Sequence, residues 1–350
     1  MSTTTDLGTG GAGGTPGSTG SPEGAALAIV PGRARSVRFP RSPKIIIGLV
    51  MLGFFLLLAI VGPWLAPYSP GASVSTTNGV PQPPSAAHLL GTTQLQQDVF
   101  SQLLAGGRST ILVAFLAGIV ATILSVLIGV TAGYLGGLGD DLLSMLANFF
   151  LVLPALPLLI VIFGFLPSGG DNDLLIGLVI AVTGWAFGAR VMRAQTLSLR
   201  NRDYVESARI AGESNWRIIG FEILPNLTPI VASSFLFTVL YGVGTYTALA
   251  FLGLISPTHW SWGGMLFEAY QQQAQVSGWW WWYIPPGLAV AFLGTALALL
   301  NFGIDEFINP RLRAAGLTRR RAKKAAVTGV PRRFTLGVTP VARTPEGSQR

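Results

Sequence analysis

The chain contains no cysteine, which excludes disulfide bonds and thiolate metal sites. Charge is nearly as scarce. Only 11% of its 350 residues are charged and 50% are hydrophobic, whereas an average soluble domain carries about 25% charge. Lysine occurs only at Lys44, Lys323 and Lys324, and none of them follows a glycine, so a Gly-Lys-Ser/Thr phosphate-binding loop is absent. Histidine is limited to His88 and His259, both of which read as ordinary loop residues. With no HExxH helix and no GxSxG elbow, neither a metalloprotease site nor a hydrolase nucleophile can be assembled. No repeat of 20–50 residues is visible, which excludes solenoids and propellers.

What the chain does have is long apolar runs. A helix needs roughly 20 apolar residues to cross a bilayer core, and six segments qualify: about 45–66, 109–133, 142–166, 174–194, 224–251 and 284–304. The interiors of these spans lack ionisable residues until their ends, such as Arg190 and Arg193 in the fourth. That argues against a stand-alone secondary carrier, which usually needs polar or ionisable groups at mid-membrane depth. A membrane-bound enzyme is disfavoured by the missing catalytic constellation. The first span is too long for a signal-peptide core and ends in GPWLAPYSP, so it reads as retained.

Arginine and lysine favour cytoplasmic flanks. Arg33, Arg35, Arg38, Arg41 and Lys44 precede the first span; Arg200, Arg202, Arg209 and Arg217 separate the fourth and fifth; and Arg311 to Lys324 follow the sixth. The alternate loops 67–107, 167–173 and 252–283 have no arginine or lysine. Both termini and the segment 195–223 are therefore expected in the cytoplasm. The net charge of +8 is explained by membrane lipid beside the spans, without nucleic acid.

The expected organisation is a disordered basic tail (1–44), a first span (45–66), an extracytoplasmic loop (67–107), a five-span core (108–308) and a second basic tail (309–350). Residues from Gln97 to Leu104 are expected to form a short helix leading into the membrane. Pro154 and Pro157 predict a kink in the third span, either a static bend or a hinge. The spacings Gly129/Gly133, Gly133/Gly137 and Gly184/Gly188 predict close helix packing. The run WWWWY at 279–283 reads as an aromatic belt at the water interface.

One segment breaks the apolar pattern: DYVESARIAGESNWRIIGFEILP, residues 203–225. On a helical register Glu206, Arg209, Glu213 and Arg217 form a polar stripe, and Val205, Ala208, Gly212, Trp216 and Ile219 form a second, more apolar one. Gly212 is unfavourable inside a helix, which predicts either a turn between two short helices or a close approach by a partner. An interfacial helix lying on lipid is the alternative.

The stretch ESARIAGESNWRIIGFEILPN resembles the EAA loop of the membrane subunits of binding-protein-dependent ABC importers. Glu206, Ala208, Gly212, Leu224 and Pro225 stand at matching positions, while Ser207 and Glu222 depart from the pattern. The resemblance extends over about 85–313 and is similar to the dipeptide/oligopeptide/nickel permease group. HLLGTTQLQQDVFSQLLAGGRS, FLGL, SWGGML and NPRLR carry it, with Thr93, Gln96, Gln97 and Gln102 where the group commonly has Asp, Gly, Arg and Arg.

That resemblance implies an all-α, six-span permease of the type I ABC importer fold in the bacterial inner membrane. It implies pairing with a second homologous permease, two ATP-binding subunits and an extracytoplasmic solute-binding protein. The chain would be non-catalytic and hold no cofactor, with ATP and Mg in the partner ATPases. Within the loop 200–225, Glu206, Ala208, Arg209, Gly212, Leu224 and Pro225 would couple to the ATPase. Asn148, Tyr241, Thr245 and Tyr246 are candidates for lining the pathway. Peptides are the solute the resemblance favours, with nickel or another small solute as the alternative.

Overall fold

The computed structural model describes residues 43–73, 79–166, 172–256 and 259–308. The expectations for the tails, including the NPRLR match, lie outside the described residues. Among the described residues the architecture is all-helical, with only two isolated bridges, Ser73 to Gln97 and Thr92 to Asp98. The helices are α1 (Pro43–Leu65), α2 (Val99–Leu135), α3 (Gly137–Val152), α4 (Ala155–Gly164), α5 (Asp173–Leu199), α6 (Asp203–Ile210), α7 (Asn215–Arg217), α8 (Leu224–Phe251), α9 (Trp262–Gln271) and α10 (Trp280–Ile308). A π-helical turn, Ile218–Ile223, joins α7 to α8. Five helical stretches are long and apolar enough to cross a membrane, and the bent pair α3–α4 brings the number up to six.

Helix α2 is the central element and packs most extensively on α5 and then on α8. In lipid, helices associate through close van der Waals packing, because the surrounding tails are as apolar as the side chains. Small residues make that packing possible. At Gly133 an added Cβ would lie 2.8 Å from the carbonyl oxygen of Arg193, and one at Gly129 would collide with the Ala189 carbonyl. The Gly129/Gly133 spacing is thus a helix contact. Gly137, by contrast, sits at positive φ in the turn from α2 to α3 with open space around it, so the Gly133/Gly137 spacing is not a packing pair.

Lys44, at the start of α1, pairs with Glu306, near the end of α10, at 3.4 Å. This puts the first and last spans antiparallel, with their tail-bearing ends together. The loop 200–223, into which α5 runs and from which α8 leaves, lies at the same end, since Ser233 early in α8 donates to Asn301 and Asp305 near the end of α10; we call it the basic end.

Several expectations are corrected. The third span does not kink within one helix. It breaks, with α3 and α4 inclined at 86°. Pro154 disfavours helical backbone at the residue before it, and Leu153 is extended (φ −69, ψ 129). Pro157 falls in the first turn of α4, where a missing amide hydrogen does no harm, so it contributes nothing to the break. The expected short helix from Gln97 to Leu104 is instead the opening of α2, which starts at Val99 and continues without interruption. The tryptophan run is not a plain interface belt. Trp281 and Trp282 are buried, and the Trp281 indole donates to the Thr92 carbonyl at 3.3 Å, clamping the loop before α2 onto α10.

The loop before α2 also holds, at Gln96, the departure from the pattern with the clearest backbone signature. Gln96, which stands where the similar permeases commonly have glycine, is at φ 60. An L-residue there carries about 1–2 kcal/mol of strain. Its amide donates to the Val80 carbonyl at 2.8 Å, a bond worth about 1 kcal/mol that glycine would forfeit along with some unfolded-state entropy. These contributions nearly cancel. Gln96→Gly is therefore expected to leave the thermal midpoint in detergent almost unchanged, whereas Gln96→Val, which keeps the strain and loses the bond, lowers it clearly.

Candidate functional site

The charged segment is a helical hairpin. Helix α6 has Asp203 and Glu206 in its first turn and Arg209 in its last, each sign at the helix end whose dipole favours it. Its end is a Schellman motif: the Gly212 amide donates to the Arg209 carbonyl and the Glu213 amide to the Ala208 carbonyl, both at 3.1 Å. That geometry needs a left-handed residue, and Gly212 supplies it at φ 79. A Cβ at Gly212 would meet nothing within 4 Å. Of the two readings of this glycine, the turn between two short helices is the one observed.

The turn divides the polar stripe into two local ion pairs. Arg209 meets Glu206 at 3.1 Å, and Arg217 meets Glu213 at 3.3 Å. All four are exposed or half-exposed, so each pair contributes at most about 0.5 kcal/mol. What seats the hairpin is apolar: Val205, Ile218, Ile223 and Leu227 are fully buried with Val130 and Tyr134 of α2 and Met192 of α5. Ala208 and Ile219 pack at the margin of this cluster. The Tyr134 hydroxyl donates to Asn215 Oδ1 at 3.3 Å, and the Arg209 guanidinium lies over the Tyr134 ring.

Trp216 does not join the buried stripe. The turn at Gly212 shifts the register, and Trp216 is 69% exposed, and Ile210 and Phe221 of the hairpin are exposed too. The hairpin therefore buries one apolar face in its own chain and presents a second. From Asn215 the helix runs on to Phe251, 37 residues without a break, so the second arm of the hairpin and the span α8 are one rod. Leu224 is half-buried and Pro225 exposed at the first turn of α8.

The pathway candidates separate. Asn148 is exposed on α3. Tyr241 is half-buried, its hydroxyl 3.0 Å from that of Thr183 on α5. Thr245 and Tyr246 are buried inside this chain, Tyr246 completely, among Val113, Ala117, Ile176 and Ile180. Tyr246 lies on the face of α8 turned toward α2 and α5.

The histidines are also more than loop residues. His88 is buried, with Nδ1 3.0 Å from Asp98 Oδ1, and His259 Nε2 lies 2.9 Å from Asp173 Oδ1. Asp98 in turn caps α2, accepting from the Ser101 amide at 2.8 Å and the Ser101 hydroxyl at 2.7 Å. Only the Asp-x-x-Ser spacing before α2 signalled this network in the sequence. Among the described residues there is no group of three or more His, Cys, Asp or Glu side chains placed to hold a metal ion.

Fold and site together define a multi-pass helical membrane protein with a two-helix hairpin at its basic end. Residues 125–314 match the family described as binding-protein-dependent transport system inner membrane component, and the chain belongs to that family. Residues 34–84 match the N-terminal transmembrane domain of oligopeptide transport permease C. The chain is 30% identical over 282 residues to a putative peptide transport system permease protein of Brucella suis, covering 80% of this chain and 92% of the relative. It is 30% identical over 277 residues to a dipeptide transport system permease protein of Bacillus subtilis, covering 79% and 84%. An oligopeptide transport system permease protein of Mycobacterium bovis is 28% identical over 278 residues, covering 79% and 94%. The protein is thus a transport permease subunit with the all-α ABC permease fold.

Proposed function

We propose that this chain forms half of the translocation pathway of an ATP-driven importer of di- or oligopeptides. In this reading it pairs with a second homologous permease, engages two ATP-binding subunits through the hairpin 203–225, and receives solute from an extracytoplasmic binding protein. The relatives' names support peptides as the solute. Basic flanks on one side only support an inner-membrane topology with both termini cytoplasmic.

The observation that carries the reading is the two-faced hairpin. One apolar face is locked into the chain by Val205, Ile218 and Ile223, and a second, with Ile210, Trp216 and Phe221, points away from it. Such a surface at the end of a rod is suited to entering a cleft in a partner. Glu206 and Arg209 offer polar contacts at its rim, Ala208 and Gly212 keep its turn compact, and Leu224 and Pro225 set the direction of α8. When the ATPases close around ATP, the peg moves, and the unbroken helix 215–251 transmits the displacement into the membrane. The chain itself performs no catalysis and binds no cofactor in this scheme; ATP and Mg belong to the partner subunits.

The test is reconstitution in proteoliposomes. The chain alone is expected to hydrolyse no ATP and move no peptide, whereas the complete assembly does both. Peptide uptake by the chain alone would overturn the assignment in favour of a stand-alone carrier.

A further inference from the structure

Near the basic end, α2, α3 and α5 enclose a recess of about 90 Å³, room for roughly three waters. Its walls are unequal. Helix α2 contributes only Ile128, Gly129 and Ala132, whereas α3 adds Ser144 and Asn148 to Leu143 and Ala147, and α5 adds Arg190 and Arg193 to Ala189.

The two arginines differ in their partners. Arg193 is held by a two-pronged ion pair to Asp140, with Nη2 to Oδ2 at 2.7 Å, and the Ser144 hydroxyl donates to the same carboxylate at 2.9 Å. Arg200, at the end of α5, donates to the Gly133 carbonyl at 3.3 Å. Arg190 is exposed and, among the described residues, has no hydrogen bond, ion pair or ring contact. It lies about one turn deeper along α5 than Arg193, roughly 4.5 Å farther from the basic end. An arginine at that depth is costly unless it reaches the head-group layer or meets an anion. The carboxylate of Asp140 is already used by Arg193, and Asp141 is an exposed residue early in α3.

We propose that this recess binds the phosphate of an anionic phospholipid head group, with Arg190 as the principal ligand and the Asn148 amide as a second donor. Three observations favour lipid over the transported solute. The recess opens near the end where the basic residues, and hence the anionic head groups, are concentrated. The outer face of α3 beside it carries Leu142, Met145, Leu146 and Phe149, exposed and apolar as a bed for acyl chains must be, with the exposed Asp141 at its end toward the basic end. The remaining wall, from α2, is wholly apolar and supplies no competing carboxylate. The site is independent of the peptide assignment and stands or falls without it.

Native mass spectrometry of the full chain in detergent, with added phosphatidylglycerol or phosphatidylcholine, tests the proposal. Wild type should retain phosphatidylglycerol with a preference that Arg190→Gln lowers about fivefold, the effect of roughly one cationic contact. Arg190→Lys should keep part of it, and Arg319→Gln with Arg320→Gln and Arg321→Gln should leave it intact. Circular dichroism of Arg190→Gln, at a position without partners, should match wild type. Undiminished preference in Arg190→Gln, or its loss in the tail variant, would overturn the site. Arg190-dependent retention of the dipeptide Ala-Ala in place of phosphatidylglycerol would overturn it as well, marking a solute site.

Discussion

Gly212→Val should reduce peptide uptake and peptide-stimulated ATP hydrolysis by the reconstituted assembly more than tenfold, while the chain still inserts into the membrane. The effect is conformational. Valine at φ 79 is held in a region where a β-branched side chain is an outlier, with a penalty of about 2 kcal/mol or more. Because 1.4 kcal/mol is a factor of ten, the equilibrium constant for forming both Schellman bonds falls more than tenfold. The spans are expected to be unaffected, since a Cβ at Gly212 meets open space. Gly212→Asn tolerates the left-handed backbone and should retain most activity. Gly212→Asp has the same shape as asparagine but adds a negative charge to the surface offered to the partner. An active asparagine variant with an inactive aspartate variant would locate a protein contact at the turn. Equal activity of valine and asparagine variants would show that the hairpin geometry is irrelevant to coupling.

The parts of this molecule that were legible in the sequence are those with a local or lipid-imposed signal. Long apolar runs announce spans because backbone polar groups in a bilayer must be satisfied within a helix, and each of the six runs falls on a described helix or on the bent pair α3–α4. The hairpin was legible as far as Gly212, whose helix-breaking character is a property of the residue itself. Beyond it the helical register was carried across a turn, and that error placed Trp216 on the wrong face. Pro154 announced a disturbance, but whether a proline bends or severs a helix depends on what holds the two halves. Here Leu159 and Phe163 of α4 are buried against α2, α5 and α8, and that packing holds α4 at an angle to α3. Burial of Thr245, Tyr246, Trp281 and Trp282 was illegible for a common reason. A polar or aromatic residue in a span looks the same in sequence whether it faces lipid, a pathway or a neighbouring helix.

The same limit hid the Asp98 network, where the second-largest effect is expected. Asp98→Ala should destabilise the protein by about 3 kcal/mol, seen as a fall of several degrees in thermal midpoint in detergent and as faster amide exchange in residues 99–104. Two losses combine. The cap of a 37-residue helix is removed, at about 1–2 kcal/mol. The buried His88 ring and Ser101 hydroxyl lose the carboxylate that satisfies them, at about 1–3 kcal/mol. The two are not independent, because one carboxylate serves both, so the sum is less than the parts. Asp98→Asn separates them. Its carbonyl oxygen can still accept from the Ser101 amide and hydroxyl, and its NH₂ can donate to His88 Nδ1 once the imidazole proton moves to Nε2. Asparagine should therefore cost under about 1 kcal/mol, and exchange in the first turn of α2 should stay slow. If asparagine were as damaging as alanine, the carboxylate would be needed as a charge and not only as a hydrogen-bond acceptor. If neither substitution changed the midpoint, the loop before α2 would be held by the Trp281 clamp alone, and Trp281→Phe, which removes the bond to the Thr92 carbonyl, would then become the damaging change.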